Sequence, residues 1–138
     1  MRAYVDSSVV LRVALRSSDS LPEWHSIDQY VSSVLLRLEC ARTLERLRIA
    51  EGMSADEILE RRLAVDSITT VAKLIAIDDD VLERAERAFS EPLKTLDAIH
   101  LATAIIWRDQ NLSDLAFATH DDKLARAAQA AGFEVLGA

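Results

Sequence analysis

Residues 2–15 read Arg-Ala-Tyr-Val-Asp-Ser-Ser-Val-Val-Leu-Arg-Val-Ala-Leu, and the fold class is decided by how this stretch changes character along its length. Arg2 to Val5 is a short β-like run. It ends in the polar Asp6-Ser7-Ser8, and a helical pattern follows from about Val9 to Leu15. A strand that hands over to a helix through small polar residues is half of a βα unit, and the same passage recurs along the chain.

Outward from that stretch, Ser17 to Ser20 reads as a loop and Tyr30 to Ser32 as a second strand. Ser33 is a suitable N-cap for a long helix to about Ala50, which Glu51-Gly52 ends. Ser54 opens another helix, with Glu57 three residues on in a capping-box pattern. Val71 to Ile77 is apolar and β-branched and reads as a buried strand. Asp78-Asp79-Asp80 starts a helix to about Phe89, broken by Glu91-Pro92. Thr95 to Ile106 is strongly apolar and predicts a buried helix capped by Thr95. Leu115 to Ala118 is a short strand, a helix runs on to Ala131, Gly132 stops it, and Phe133 to Leu136 is a final strand. Strands alternating with helices predict a three-layer α/β/α architecture on a mostly parallel sheet. No repeat, linker or low-complexity segment interrupts it, so residues 1–138 read as a single domain.

Composition agrees. Half of the chain is apolar, and with 3 Gly and 2 Pro little of it can be linker. The single cysteine, Cys40, shares an apolar helical stripe with Leu36, Leu44 and Leu47 and reads as a packed small hydrophobe. One cysteine forms no internal disulfide, which makes a reducing cytoplasm the default compartment. The opening apolar stretch is too short for a signal peptide, and no run is long enough to span a bilayer. The net charge of −7, from 23 acids and 16 bases, argues by itself against nucleic-acid binding. A divalent cation would reverse the sign of an acidic pocket, however. Arg37, Arg42, Arg46, Arg48, Arg61 and Arg62 are also crowded into one helical region, where a solvated face paired with Glu explains them equally well.

Four acids merit individual reading. Asp6 and Asp121 each follow a strand and precede a helix, where an N-cap accounts for an Asp. Asp97 lies in the first turn of its helix, where the helix dipole favours an acid. Glu39 reads as mid-helix at the edge of a buried stripe, with Arg42 and Arg46 in reach for a surface ion pair. His100, three residues after Asp97, reads as a satisfied core histidine. His25 and His120 show no His-to-His metal spacing. Singly, none of the acids requires a function. Together they form a set of hard oxygen donors near the carboxyl edge of a parallel sheet, without Cys or clustered His. Mg²⁺ and Mn²⁺ prefer such a set. Several unpaired carboxylates would repel unless a cation joined them, and phosphoryl transfer is the chemistry that most often uses such sites.

The motifs around these acids resemble those of PIN domains. Tyr-Val-Asp-Ser-Ser-Val-Val-Leu (4–11) is similar to the opening motif, and Ser-Ser-Val-Leu-Leu-Arg-Leu-Glu-Cys-Ala-Arg (32–42) to the second. Leu-Lys-Thr-Leu-Asp-Ala-Ile-His-Leu-Ala-Thr-Ala (93–104) resembles the third and is the most specific. Ala-Thr-His-Asp-Asp-Lys-Leu-Ala-Arg-Ala-Ala (118–128) resembles the fourth, and Gly132 to Val135 is the usual ending. The likeness is greatest to VapC toxins, the ribonuclease halves of toxin–antitoxin pairs. It implies a metal site of Asp6, Glu39, Asp97 and Asp121 holding Mg²⁺ or Mn²⁺, with Ser7, Thr119 and Asp122 supporting it. It also implies an RNA substrate, a cognate antitoxin and a homodimer. Thr119 matches the small hydroxyl that precedes the last acid, and Asp121 rather than Asp122 takes the inner position by the Thr-x-Asp pattern. Many relatives carry Asn where this chain has Ser8, which cannot offer an amide.

On this reading, water activated by one or two ions hydrolyses an RNA phosphodiester to a 5′-phosphate and a 3′-hydroxyl. A PIN nuclease of RNA processing, rather than a toxin, is the nearest alternative. A phospho-accepting receiver domain also gathers acids at the carboxyl edge of a parallel sheet. It expects an acidic pair after the first strand and a Lys after the fifth, and this chain has neither.

Overall fold

The computed structural model describes all 138 residues. Five strands, β1 (Arg2–Val5), β2 (Gln29–Ser33), β3 (Lys73–Ile75), β4 (Ala116–Ala118) and β5 (Val135–Leu136), form one sheet in the order β3-β2-β1-β4-β5. Every pairing is parallel, with Tyr4 opposite Val31 on one side and Phe117 on the other. The central strand is thus the first one made.

The helices are α1 (Ser7–Ala14), α2 (Leu36–Glu51), α3 (Ala55–Val71), α4 (Asp79–Glu86), α5 (Thr95–Asn111) and α6 (Asp122–Ala130), with a short 3₁₀ turn at Pro22–Ser26. From β1 the chain steps outward through β2 to β3, then returns across the sheet to β4 and β5. Crossovers between parallel strands keep one hand, so reversing the direction of travel puts the later helices on the opposite face. The alternation of side chains follows this division. Ala3, Val5, Ala116 and Ala118 pack beneath α1, α2 and α3, and Tyr4, Val31 and Phe117 pack beneath α5 and α6. Two apolar cores result, one on each side of the sheet, as the predicted α/β/α layering requires.

Several boundaries differ from the sequence reading, each for a physical reason. Ser33 is the last residue of β2, and its hydroxyl accepts from the Leu35 amide, so α2 begins at Leu36 with no side-chain cap. Thr95 is the first helical residue of α5 rather than its cap, and Lys94 holds the cap position. Val71 closes α3 and is exposed, while β3 covers only Lys73–Ile75. That strand lies at the sheet edge and is half-buried at best, which is why its β-branched composition did not mark a core strand. Ser54 caps α3 by accepting from the Glu57 amide (3.1 Å), and Gly52 ends α2 at φ +62°, both as expected. No helix is long and apolar enough to cross a membrane.

Candidate active site at the switch point

The sheet reverses its direction of winding between β1 and β4, and ligands of open parallel sheets bind at the carboxyl ends of the two strands that flank such a reversal. Asp6 leaves β1 there, and Thr119 to Asp121 leave β4. The two exits are laced together. Asp6 donates its amide to the Ala118 carbonyl (3.2 Å), and the His120 amide donates to the Ser8 hydroxyl (3.1 Å).

Asp6 is 5% exposed and caps α1 through the Val9 amide (3.2 Å). Its Oδ1 also accepts from the Ser8 hydroxyl (2.6 Å), and its Oδ2 from the Thr119 hydroxyl (2.5 Å). Burial pushes the carboxyl above the usual carboxylate range, against the pull of the Ser8 and Thr119 hydrogen bonds. Thr119 in turn accepts from the Asp121 amide (3.0 Å), so one hydroxyl joins two of the four acids. Ser8, read from sequence as a departure from relatives, supplies one of the closest contacts to Asp6. The Asp-x-Ser spacing, which lets a hydroxyl two residues on reach back to the capping carboxylate, is the signal that could have found it.

Glu39 lies in the first turn of α2, not mid-helix, because the helix starts late. It makes no ion pair with Arg42 or Arg46. Its Oε1 instead meets His100 Nε2 at 2.5 Å, while Oε2 receives only a long contact from the Ser7 hydroxyl (3.4 Å). Burial works against charge on His100. The hydrogen bond and charge of Glu39, with the charges of Asp6 and Asp97, outweigh it and raise the imidazole pKa.

Asp97 is half-buried in the first turn of α5. Its carboxyl is pushed up by burial and then by Asp121, with Asp6 and Glu39 adding to the shift and His100 opposing it. The fold therefore brings all four acids into one electrostatic neighbourhood. Asp121 is exposed and caps α6 through the Leu124 amide (2.8 Å). Asp122 is exposed in the first turn of α6 and leaves the capping to Asp121.

No three acidic, histidine or cysteine side chains stand close enough together to hold a metal ion as they are arranged. The oxygens left over are nonetheless of the right kind. Asp6 Oδ2 has one donor and Asp121 Oδ2 none; Glu39 Oε2 has only its weak contact, and no hydrogen bond contributes at Asp97. Those carboxylate oxygens keep free lone pairs, and burial already disfavours charge on Asp6 and Asp97, so the donor set fits a hard divalent cation.

A cleft of about 330 Å³ opens beside Glu39, lined by Ser7, Leu35, Leu38, Arg42, Arg46 and Leu96 among others. Arg42 and Arg46 are exposed on the same helix, and Arg46 bonds only Thr43 (2.8 Å). A larger hollow of about 520 Å³ lies around Arg2, Arg108 and Glu134 at the other end of the strands. None of the four acids lines it, so its size carries no functional weight. Cys40 is buried, its thiol pushed up to about 12 by burial and by Glu39 and Asp6, which leaves it inert as a nucleophile.

Residues 3–130 match the family model of the PIN domain. The chain is 35% identical over 142 residues to Ribonuclease VapC46 of Mycobacterium tuberculosis, covering 96% of this chain and 95% of that protein. Its fold is similar to that in the crystal structure of a member of the VapBC family of toxin–antitoxin systems, VapBC-5, from the same organism. The TM-score there is 0.60 at 19% identity, over 97% of this chain and 96% of that one. The chain belongs to the PIN-domain family and is VapC-like within it.

Proposed function

We propose that this protein is a divalent-cation-dependent ribonuclease and the toxin of a toxin–antitoxin pair, with Asp6, Glu39, Asp97 and Asp121 as its metal site. What supports this reading is that the Asp97 carboxyl is pushed up by burial and by the charges of Asp121, Asp6 and Glu39, beside a switch point where Asp6 leaves β1 and Asp121 follows β4. The similarity to a protein named as a ribonuclease points to RNA as the substrate.

Asp6 and Asp97 are the principal ligands, and Glu39 and Asp121 complete the set directly or through water. Mg²⁺ or Mn²⁺, when bound, neutralises phosphate charge and activates a water for attack on phosphorus. Ser8 and Thr119 hold Asp6 in one rotamer, so the ligand that is hardest to reach from solvent is also the one best fixed. Asp121 is kept near Asp97 by its cap on α6 and by its own amide on Thr119. Arg42 and Arg46, beside Glu39 in the cleft, offer phosphate contacts to an RNA strand leading into the site.

RNA cleavage with and without Mn²⁺, in the parent and in Asp6→Ala, is the deciding experiment. Metal-dependent cleavage lost in the variant is expected, with 5′-phosphate and 3′-hydroxyl ends. Full metal-dependent activity in Asp97→Asn would show the ligand assignment to be wrong, and 2′,3′-cyclic phosphate ends would exclude attack by water. The same reading places the protein in the cytoplasm as a homodimer, checked by light scattering. It also has a small antitoxin blocking the pocket by inserting an Arg or Lys among the carboxylates. A partner complex with the pocket open and metal-loaded would contradict that mode of inhibition. Growth arrest on expression, relieved by a short gene immediately upstream, separates a toxin from an RNA-processing nuclease.

A further inference from the structure

Asp6, Glu39 and Asp97 stand on or beside three different elements, β1, α2 and α5, and one buried hydrogen-bond chain runs between those elements. His100 lies one turn beyond Asp97 on α5 and is 1% exposed. Its Nδ1 is 2.5 Å from the Tyr4 hydroxyl, and its Nε2 is 2.5 Å from Glu39 Oε1. Tyr4 is fully buried on β1, two residues before Asp6. Its ring is stacked on Phe117 with centroids 5.1 Å apart and lies edge-on to the imidazole at 5.7 Å, which leaves it little freedom to turn.

Donor and acceptor chemistry settles the direction of the chain. An ionised carboxylate only accepts, so Nε2 must carry the hydrogen it shares with Glu39. This holds for the neutral ring and for the cation alike. A tyrosine hydroxyl can donate to Nδ1 of the neutral ring or accept from it when the ring is charged, so Tyr4 satisfies the other nitrogen in both states. Turning the ring over would set carbon atoms against both partners and bury two polar groups without bonds. The ring orientation is therefore determined from both ends.

We propose that Tyr4 and His100 are positioning residues for Glu39. They occupy Oε1 and hold the carboxylate so that Oε2 faces Ser7 and the cleft, at a fixed spacing from Asp6 and Asp97. The inference rests on the metal-site reading above and assigns a role to two buried residues which that reading leaves out. Histidine that merely filled space would be replaceable by an apolar side chain of similar size without effect on the site. A positioning histidine would not be, and a side chain that kept the donor would recover what was lost.

Long-range proton–nitrogen NMR of His100, in metal-free protein without RNA, tests the chain directly. A protonated Nε2 is expected, and an unprotonated Nε2 overturns the proposal. Mn²⁺ affinity and RNA cleavage are then compared in Tyr4→Phe, His100→Leu and His100→Gln. His100→Leu is expected to lower Mn²⁺ affinity or kcat by about 10- to 100-fold. KM for RNA should stay within about twofold, since Arg42 and Arg46, the phosphate contacts proposed above, are untouched. His100→Gln, which keeps a donor, should recover most of the loss. Folded His100→Leu with parental Mn²⁺ binding and cleavage overturns the proposal. If His100→Leu does not fold, Tyr4→Phe, which removes a single oxygen, carries the same comparison, and parental values there overturn it too. A parent that neither binds Mn²⁺ nor cleaves RNA would refute the metal-site reading instead, and the NMR spectrum would still decide whether His100 donates to Glu39.

Discussion

The starts of α1 and α6 are built alike and have come to differ in everything that matters for chemistry. In both, an Asp leaves a strand and caps the following helix, Asp6 through the Val9 amide and Asp121 through the Leu124 amide. Asp78, after β3, does the same for α4 through the Val81 amide (2.9 Å). Local sequence makes the three nearly interchangeable. Their surroundings do not. Asp6 is buried beneath the switch point with Ser8 and Thr119 on its oxygens; Asp121 is exposed but close enough to raise the Asp97 pKa; Asp78 is an exposed cap at the sheet edge. A cap fixes where a carboxylate points, and strand order fixes what it points at.

Substitutions that spare one property and remove another should pull this comparison apart. The largest effect is expected from Asp6→Ala, which should lower RNA cleavage by about a thousandfold or more in single-turnover assays. Asp121→Asn comes next. An amide oxygen can still accept from Leu124, so thermal stability should hold within about 0.5 kcal/mol while Mn²⁺-dependent cleavage falls sharply. Parental activity in that variant would reduce Asp121 to a cap like Asp78. Thr119→Val, which strips Asp6 Oδ2 of its donor, should cost about 10- to 100-fold in activity. Asp78→Ala should cost about 1 kcal/mol in chemical denaturation and nothing in cleavage.

The smallest effect concerns stability alone. Asp97 carries a raised pKa in the folded state, so its charged form opposes folding above that pKa and the penalty disappears as the pH falls through it. Asp97→Asn should therefore stabilise the metal-free protein at neutral pH by less than about 1 kcal/mol, given its partial exposure. The gain should vanish in acid, where Asp97 is already protonated. A variant less stable than the parent at neutral pH would contradict this account.

Much of the fold was legible because the period of apolar residues and the turn chemistry agree at most junctions. Strand and helix alternation from Arg2 to Leu136, the Ser54 cap and the Gly52 stop all follow from nearest-neighbour chemistry. The structure departs from that chemistry where a partner distant in sequence overrides it. Ser33 has the makings of a cap but is held in β2 by its pairing with β3, which delays α2 and moves Glu39 into its first turn. Nothing in the run Leu36 to Ala41 reveals that Glu39 would prefer a histidine 61 positions away to the arginines on its own helix. His100 is a satisfied core residue, as its apolar helix predicts, but the identity of its partners depends on the fold bringing it to Tyr4 on β1 and Glu39 on α2. The strand order was also beyond reach, since local sequence does not say that the first strand becomes the central one.

Cys40 adds a practical consequence. It follows Glu39 directly and is completely enclosed, with its thiol pushed up to about 12. A thiol reagent can reach it only when α2 parts from the core, so its rate of labelling is a clock for the opening of the helix that carries Glu39. With no second cysteine in the chain, the clock is read without engineering. A ligand that clamps the site should slow it in proportion to how tightly it binds the closed form over the open one.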